Sequence, residues 1–287
     1  MEEPKFSIII CAYNVGNYID ASIISVLEQD YDNYELVIYN DGSTDNTAEV
    51  IKKYKDKKIN FIDCKQNKGL GAARNIAVKK ARGEYILYLD ADDSLYANDT
   101  LSRIYEVLGK EKIDIAYFGV QYIGGDNRLY IPTAENSTKE ARIACDMHFA
   151  VSSKCWRREF LIKNNITFVE NMYYEDMVYS LKSIIHADKI TYGAFPIYNY
   201  VRNREGSIMS TPNIRRCSDM YRMMSYVMDL YEETPEKYKP YLLSFIKNET
   251  NGLYPRTVCV LKALKEHTGT PIFPKRNYVF EEEKELK

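Results

Sequence analysis

The sequence predicts an α/β fold with a mostly parallel sheet in its first 120 residues. Short runs rich in β-branched and aromatic residues alternate there with amphipathic helical patterns, which is typical of strand–helix–strand units. Asn, Asp and Gly follow these runs where the chain must reverse. A chain of 287 residues can form one large domain or two small ones, and it is long enough to bury a substantial core.

Five strands and four helices are expected in this region. The strands are predicted at Phe6 to Cys11, Glu35 to Tyr39, Ile59 to Asp63, Tyr85 to Leu89 and Ile113 to Val120. The helices are predicted between them, at Tyr18 to Gln29, Asp45 to Tyr54, Gly71 to Ala81 and Thr100 to Leu108. Ser43 or Thr44 is the expected N-cap of the second helix.

The pattern changes after Val120. The polar segment GGDNRLYIPTAENST ends the regular alternation, and residues 141–209 then mix helical and strand patterns with many tyrosines. Beyond Pro212, the segments RRCSDMYRMMSYVMDLYEE and YLLSFIKNETNGLYPRTVCVLKALKE predict two amphipathic helices. Core packing is the default expectation for their Met and Tyr stripe, although pairing of subunits or docking of another molecule stays open.

Composition argues against several classes of protein. The chain has 39 basic and 41 acidic residues and a formal net charge of −2, so it offers no overall field for nucleic acid, and no nucleic-acid partner is expected. The six cysteines are scattered and include no CxxC pair, which argues against a zinc site and against a disulfide framework.

The sequence also bears on location. The start MEEPKFSIIICAYN lacks the features of a signal peptide, and no apolar run approaches the roughly 18 residues of a membrane-spanning helix. A cytoplasmic protein is therefore expected. Peripheral contact with the inner face of a membrane stays open, because it needs only a basic patch such as Arg215, Arg216 and Arg222.

Three aspartates follow the strand predicted at Tyr85 to Leu89. Asp90 and Asp92, on either side of Ala91, point the same way if the segment is extended, whereas Asp93 points elsewhere. Two carboxylates make half of a Mg²⁺ or Mn²⁺ site, and ligand phosphates and water supply the other half. The expected ligand is therefore a diphosphate, and the alternative interpretation is a capped, solvated turn.

Two other strands end in residues suited to a ligand. The first ends in Ala12, Tyr13 and Asn14, and the tyrosine ring could stack on a nucleobase or pack at the rim of the sheet. Asp41 follows the second strand, where it could accept the imide proton of uracil or cap the next helix. Because the carboxyl ends of parallel strands line one crevice, these residues are expected near the aspartates.

The segment NKGLGAARN leads into the third helix. Glycine at a helix entrance lets the backbone approach a ligand, and a helix N-terminus attracts phosphate, so Asn67 and Gly69 are candidate ligand contacts. Arg74 lies one turn into the helix. It could pair with a diphosphate, with Asp41 or with Asp90.

Two motifs lie farther along the chain. The segment NMYYEDMVYSLKSIIHA places Glu175 and Asp176 near the start of a helix, where one of them could be a general base for an acceptor hydroxyl. Acids in a first turn are also favoured by the helix dipole alone. The segment YNYVRNREGSIMS places Arg202 and Arg204 in a loop that could fold over phosphates or form an ordinary turn.

Taken together, SIIICAYN, ELVIYNDGSTDNT, NKGLGAARN, YILYLDADD, YYEDMVYS and YVRNREGSIM resemble, in the expected order, the family-2 glycosyltransferases. The resemblance implies the GT-A fold, a Rossmann-like, mostly parallel sheet flanked by helices. It implies a glycosyltransferase domain at residues 1–210, with a nucleotide-binding half at about 1–120 and an acceptor half at about 121–210. A C-terminal α-helical extension at 211–287 would follow.

The resemblance also assigns roles. It implies Asp92 as a metal ligand, Asp90 as a ribose or water-mediated metal contact, and Asp176 as the catalytic base with Glu175 beside it. Tyr13 and Asp41 fall where the family holds uracil, and Arg74 falls where it contacts the nucleotide. The donor-binding set is Ala12, Tyr13, Asn14, Asp41, Asn67, Gly69, Arg74, Asp90, Ala91, Asp92, Arg202 and Arg204.

The implied activity is inverting transfer of a sugar from a nucleoside-diphosphate sugar, most often a UDP-sugar, with Mn²⁺ or Mg²⁺ as cofactor. The implied acceptor is a hydroxyl of a glycan, a lipid-linked or a protein-linked molecule, most commonly in a bacterial surface-glycan pathway. The QxxRW element of processive polysaccharide synthases is absent, which implies a non-processive enzyme that adds one sugar, or a few, to a separately bound acceptor. A third metal ligand is not evident, since His148 and His186 are only loose candidates.

Two rival functions remain open. An inactive sugar-nucleotide-binding subunit could support a partner or form a homo-oligomer through the C-terminal helices. A nucleotidyl or phosphoryl transferase could use the same acids, although the sequence lacks the lysine motif of a phosphate-binding loop.

Overall fold

One sheet runs through the computed structural model, which describes residues 3–124, 127–144, 150–202 and 214–251. Its strands are β1 (Phe6–Ala12), β2 (Tyr34–Asp41), β3 (Ile59–Cys64), β4 (Tyr85–Asp90), β5 (Ser94–Leu95), β6 (Ile115–Ile123), β7 (Leu129–Tyr130), β8 (Lys154–Arg157) and β9 (Ile190–Val201). The helices are α1 (Ile19–Leu27), α2 (Thr47–Lys52), α3 (Leu70–Lys80), α4 (Thr100–Leu108), α5 (Lys139–Ala144), α6 (Arg158–Lys163), α7 (Glu175–His186), α8 (Ile214–Glu233) and α9 (residues 239–251).

The strand order is β3–β2–β1–β4–β8–β6–β9–β5, and β7 pairs with the outer end of β6. Strands β1 to β4 are parallel to one another. Strand β8 is antiparallel to both of its neighbours, β6 and β9 are parallel, and β5 is antiparallel to β9. The mixed, mostly parallel sheet flanked by helices confirms the predicted α/β class.

The core has two halves, one on each face of the sheet. Ile8 and Ile10 of β1 pack in the half that contains α1 and α4, whereas Ile9 between them packs in the half that contains α3, α7 and α8. This follows from the alternation of side chains along a strand. Because β1 and β2 are covered on both faces, their central residues, Ile8 to Ile10 and Leu36 to Ile38, are continuously apolar.

Helices α8 and α9 pack in the second half of the core. Met223 and Val227 of α8 and Leu242 and Phe245 of α9 are buried there with residues of α7. These helices therefore follow the default expectation of core packing, and the division of the chain at residue 211 stays a prediction. Most of the second predicted C-terminal helix lies outside the described residues. Across the described ranges, no helix is both long and apolar enough to cross a membrane.

The start of the second helix differs from the prediction. Helix α2 begins at Thr47, and neither Ser43 nor Thr44 caps it. Instead, Asp45 Oδ1 accepts the Thr47 amide at 3.0 Å, and Asp45 Oδ2 accepts the Gly16 amide at 3.0 Å. The carboxylate outcompetes the hydroxyls because it accepts two amides at once, which fixes the loop after β1 against α2.

Strand β9 was not predicted as a strand over its full length. It contains Pro196, which cannot donate to a neighbouring strand and so weakens any strand pattern. In the structure Pro196 lies opposite Gly119 of β6, where the register between the strands shifts. The irregularity accommodates the proline, and Tyr198 to Val201, predicted as part of a loop, complete the strand.

Candidate active site

The carboxyl ends of β1, β2 and β4 lie side by side at one edge of the sheet. Cys11 of β1 is paired with Asp90 of β4, and Ala12 is paired with Asn40 of β2. Asp41 follows Asn40 at the end of β2. The expected convergence of these strand ends is therefore present in the structure.

Arg74 connects this edge to helix α7. Its Nη2 donates to Asp90 Oδ1 at 2.8 Å, and its Nη1 donates to Glu175 Oε1 at 2.9 Å. The residue is 5% exposed, and its guanidinium lies over the Phe168 ring. Of the pairings considered for Arg74, the structure contains the one with Asp90 and adds Glu175, which the sequence did not indicate.

Burial shifts the titration of the two acids that begin α7. Burial raises the pKa of Glu175 from 4.5 to about 7, with Arg74 opposing the shift and Asp176 adding to it. Burial also raises the pKa of Asp176, against the attraction of Arg74 and Lys154. A carboxyl with a raised pKa is a better proton acceptor near neutral pH, which suits a general base.

Strand β4 ends at Asp90, and the chain turns there. The Asp93 amide donates to the Asp90 carbonyl at 3.1 Å, so residues 90–93 form a turn. The expectation of an extended segment is therefore wrong, because Asp92 lies within the turn, and the convergence of Asp90 and Asp92 on one cation stays a prediction. Asp92 is partly exposed at this edge of the sheet, next to Asp90.

Asp93 holds the turn against β9. It is 3% exposed, its Oδ1 accepts the Val201 amide at 2.7 Å, and its Oδ2 accepts the Tyr198 hydroxyl at 2.6 Å. Burial, with the nearby Asp90 charge, raises the pKa of Asp93 to about 8. Sequence reasoning set Asp93 aside and missed Tyr198, since no local pattern indicates that β9 lies beside this turn.

The side chains at this edge supply only part of the ligands that a hard cation needs. Within the described ranges, no three or more His, Cys, Asp or Glu side chains are grouped to hold a metal ion. Two carboxylates, Asp90 and Asp92, are nevertheless what Mg²⁺ or Mn²⁺ takes from a protein when ligand phosphates complete its coordination. The residues therefore fit a cation that arrives with a diphosphate.

The histidines do not add to this site. His186 is the last residue of α7, at the opposite end of the helix from Glu175 and Asp176. It lines a separate polar cavity of about 210 Å³ with Lys112, Asp114, Arg157, Phe160, Lys163, Asn164, Asp188 and Lys189. His186 is thus not grouped with the acids at this edge, since it lies 11 positions from Glu175 and 10 from Asp176 along α7, and His148 lies outside the described residues.

Asp41 organises the loop before α3. Its Oδ1 accepts the Lys68 amide at 2.9 Å, and its Oδ2 accepts the Gly69 amide at 2.8 Å. Asn67 Oδ1 accepts the Gly69 amide as well, at 3.1 Å. Gly69 has φ of +86°, which favours glycine. Asp41 therefore does not cap the next helix, α2, and instead holds the loop before α3, while its contact with uracil stays a prediction.

The first strand presents Tyr13 at the same edge. Its side chain is 48% exposed, whereas Ala12 before it is buried. Asn14 has φ of +51°, and its side-chain oxygen accepts the Thr44 amide at 2.8 Å. The exposed ring leaves room for stacking, and Asn14 ties the β1 end to the loop that follows β2. Ala91, the remaining small residue of the set, is buried beside Asp90.

The predicted arginine loop is only partly described. Arg202 follows β9, its amide donates to the Ile123 carbonyl at 2.8 Å, and its guanidinium lies 4.3 Å from the centre of the Tyr122 ring. Arg204 lies outside the described residues. The roles of both arginines toward a ligand stay predictions.

Comparison with known proteins agrees with the family resemblance of the sequence motifs. The model of the family described as glycosyl transferase family 2 matches residues 7–166, more than half of the chain. The poly(ribitol-phosphate) beta-N-acetylglucosaminyltransferase TarS of Staphylococcus aureus is 28% identical over 264 residues, 86% of this chain and 45% of TarS. The cholesterol galactosyltransferase of Borreliella burgdorferi is 28% identical over 265 residues, 84% of this chain and 73% of that protein.

Solved structures have the same fold. TarS 1–349 in complex with UDP-GlcNAc has a TM-score of 0.71 and 24% identity, covering 91% of this chain and 81% of that one. The mannosyltransferase PcManGT from Pyrobaculum calidifontis, in complex with GDP-Man and Mn²⁺, has a TM-score of 0.67 and 18% identity, covering 94% and 77%. This chain spans less than half the length of the full TarS protein. The likeness confirms the GT-A fold.

Proposed function

Because this chain belongs to glycosyl transferase family 2, we propose that it is an inverting glycosyltransferase that uses a nucleoside-diphosphate sugar, with UDP as the expected nucleotide. The observation that carries the proposal is the Arg74 bridge between Asp90 and Glu175. This bridge connects two parts of the site. One is the turn at residues 90–93, which is expected to bind the donor, and the other is α7, which begins with the expected base. Donor and acceptor chemistry thus fall within one connected group of side chains.

The donor half of the proposal uses the strand ends. Tyr13 stacks on the base and Asp41 accepts the uracil imide proton, in the roles implied by the family. Asp92 and Asp90 would hold Mn²⁺ or Mg²⁺, and the chemistry that ion would supply is neutralisation of charge on the leaving diphosphate. Arg74 bonds to Asp90 and Glu175 through two of its five N–H groups, and it adds positive charge beside the leaving diphosphate in the role implied by the family.

The acceptor half uses Asp176. Its carboxylate takes the proton from the acceptor hydroxyl as the oxygen forms a bond to the anomeric carbon. The bond from that carbon to the diphosphate oxygen breaks on the opposite side, and its electron pair leaves with the diphosphate. A single displacement of this kind inverts the anomeric configuration. The raised pKa of Asp176 supports its role, since a stronger base removes the proton more readily.

The acceptor we propose is a hydroxyl of a glycan, free, lipid-linked or protein-linked. TarS is named for action on poly(ribitol-phosphate) and the Borreliella burgdorferi relative for galactosyl transfer to cholesterol. Relatives of similar identity thus differ widely in acceptor, and their names do not select one for this chain. We place the protein in the cytoplasm, where nucleotide sugars are available, with contact at the inner membrane face compatible with a lipid-linked acceptor.

A nucleotide-sugar panel tests the proposal. UDP-, GDP- and dTDP-sugars are titrated by calorimetry with and without Mn²⁺, and release of the nucleoside diphosphate is then followed for each donor that binds. We expect one UDP-sugar to bind only with the metal. Asp176→Asn should keep that affinity and lose roughly 10²- to 10⁴-fold in turnover, as for a lost general base.

Asp188→Asn is the matched control, since Asp188 is an exposed acid just beyond the other end of α7. It should leave both binding and turnover unchanged. Binding of a donor without any release of diphosphate would instead support the alternative function, an inactive sugar-nucleotide-binding subunit. Failure of every donor to bind would overturn both.

A further inference from the structure

A short backbone segment, Asn171 to Tyr174, leads directly into the first turn of α7, where Glu175 and Asp176 lie. Two of its four residues are left-handed, Asn171 with φ of +57° and Tyr174 with φ of +65°. Side chains of L-residues disfavour this region because Cβ crowds the backbone. Contacts from elsewhere must therefore hold the segment in this shape.

Helix α8 supplies such contacts, and Asp219 is at their centre. The residue is 1% exposed, and its Oδ2 accepts the Tyr173 amide at 3.1 Å. Arg222 Nη1 lies 2.8 Å from Asp219 Oδ1, and Arg215 Nε lies 3.4 Å from Oδ2. A buried carboxylate with two cationic partners and a backbone donor is a fixed acceptor, because a move away would leave its charge buried without compensation.

The arginines of α8 also bond to the segment directly. Arg215 Nη2 donates to the Asn171 carbonyl at 2.8 Å, and Arg222 Nη1 donates to the same carbonyl at 3.3 Å. Arg216 Nε donates to the Tyr174 hydroxyl at 3.3 Å. Both left-handed residues are thus bonded to α8, and the amide between them is held by Asp219.

From this arrangement we infer that Asp219 is a positioning residue for Asp176. The Tyr173 amide that it holds lies three residues before Asp176, on the backbone that sets the direction of the first turn of α7. Without this acceptor the segment relaxes toward ordinary backbone geometry, and the Asp176 carboxylate moves with it. The inference rests on the proposed function, since it takes Asp176 as the base.

The packing of α8 against the core is provided by residues other than Asp219. Met220, Met223 and Val227 of α8 are buried in the core half that also contains α7. Loss of one carboxylate should therefore loosen the segment while the helices stay packed. A displacement of about 1 Å at a reacting group is enough to cost on the order of 100-fold in rate.

The first arm of the test measures backbone opening. Hydrogen–deuterium exchange is followed at residues 171–176 in Asp219→Ala, Asp219→Asn and a control, Asp229→Ala, which removes an exposed acid farther along α8. We expect faster exchange in Asp219→Ala, less change in Asp219→Asn because its amide oxygen can still accept the Tyr173 amide, and none in the control. Unchanged exchange in Asp219→Ala would overturn the inference.

The second arm measures chemistry, with UDP-GlcNAc and Mn²⁺ as the probe and water as the acceptor. We expect Asp219→Ala to keep donor affinity within about twofold and to lower UDP release by about 10- to 100-fold, with Asp219→Asn recovering most of the loss. In an Asp176→Asn background, Asp219→Ala should add little further loss, because the group it positions is gone. If the loss in the double variant equals the product of the two single losses, Asp219 acts independently of Asp176. That result would overturn the inference.

The two arms separate this inference from the proposed function. If Asp176→Asn releases UDP as fast as the unsubstituted chain, Asp176 is not the base, and both the assignment and the positioning role fall. If Asp176→Asn is slow while Asp219→Ala is as fast as the control, only the positioning role falls. If Asp219→Ala does not fold, Arg222→Ala, which removes a cationic partner of Asp219 and a donor to the Asn171 carbonyl, carries both arms, with the same outcomes deciding.

Discussion

The Arg74 Nη1 atom lies 2.9 Å from Glu175 Oε1, although 101 positions separate the two residues in the chain. Both side chains are buried, and the other end of the same guanidinium is bonded to Asp90. One cation thus serves two carboxylates from different elements. The contact ties α3, β4 and α7 together at the edge of the sheet where the donor is expected.

Removal of this cation should be costly. Arg74→Ala leaves Glu175 and Asp90 without their shared partner, and breaking a buried ion pair by deleting one member costs about 3 to 5 kcal/mol. We expect the free energy of unfolding, measured by urea denaturation, to fall by about that amount. Lys79→Ala, an exposed position on the same helix, should change it by less than about 0.5 kcal/mol. Equal effects of the two substitutions would contradict a structural role for the bridge.

Glu175 should make stability depend on pH. Burial raises its pKa from 4.5 to about 7, so the folded chain retains a proton that the unfolded chain has released between these values. The stabilising contribution of Glu175 to the free energy of unfolding is therefore fully present below pH 4.5, and it is lost as pH rises through about 7. We expect the free energy of unfolding to fall by about 1 to 3 kcal/mol over this window relative to Glu175→Gln, which cannot titrate.

Urea denaturation at several pH values measures this difference. Glu106→Gln, which replaces an exposed acid on α4, should keep the pH dependence of the unsubstituted chain. Parallel curves for the unsubstituted chain and Glu175→Gln would show that Glu175 titrates in the folded chain as it does in the unfolded one.

The sequence was sufficient for the regular half of the fold. Strands β1 to β4 end in turn residues and are strongly apolar at β1 and β2, so their bounds could be predicted closely. The turn at residues 90–93 could not, because it depends on the Tyr198 and Val201 partners of Asp93 more than 100 positions away. The pairing of Arg74 with Glu175 is non-local for the same reason. Composition and spacing identify side chains suited to a site, whereas only the tertiary fold determines their partners.

Tyr198 should stabilise the acidic turn. Its hydroxyl accepts the Asp90 amide at 3.2 Å and donates to Asp93 Oδ2 at 2.6 Å, in a fully buried position. Tyr198→Phe removes both bonds and leaves buried polar groups unsatisfied, which costs about 1 to 3 kcal/mol. Thermal or urea denaturation measures the loss, and Tyr96→Phe, at an exposed tyrosine, should have almost no effect. A fully stable Tyr198→Phe would mean that the turn holds its shape without the Tyr198 hydroxyl.

The Asp92 carboxylate should be required for metal-dependent binding of the donor. Asp92→Asn removes one of the two carboxylates at the turn, so calorimetry with the UDP-sugar should show at least a tenfold loss of affinity in Mn²⁺, about 1.4 kcal/mol. Asp99→Asn, an exposed acid just before α4, should bind as the unsubstituted chain does.

Comparison with Asp90→Asn separates the two acids of the proposed metal site. Asp90 also accepts a bond from Arg74, so its replacement should lower the free energy of unfolding as well as donor affinity. Asp92 lies within the turn and is partly exposed, so its replacement should lower affinity with a much smaller loss of stability. Full affinity of Asp92→Asn in Mn²⁺ would remove Asp92 from the metal site. Asp90, held in place by its bond to Arg74, would then be the one acid of the pair that contributes to donor binding.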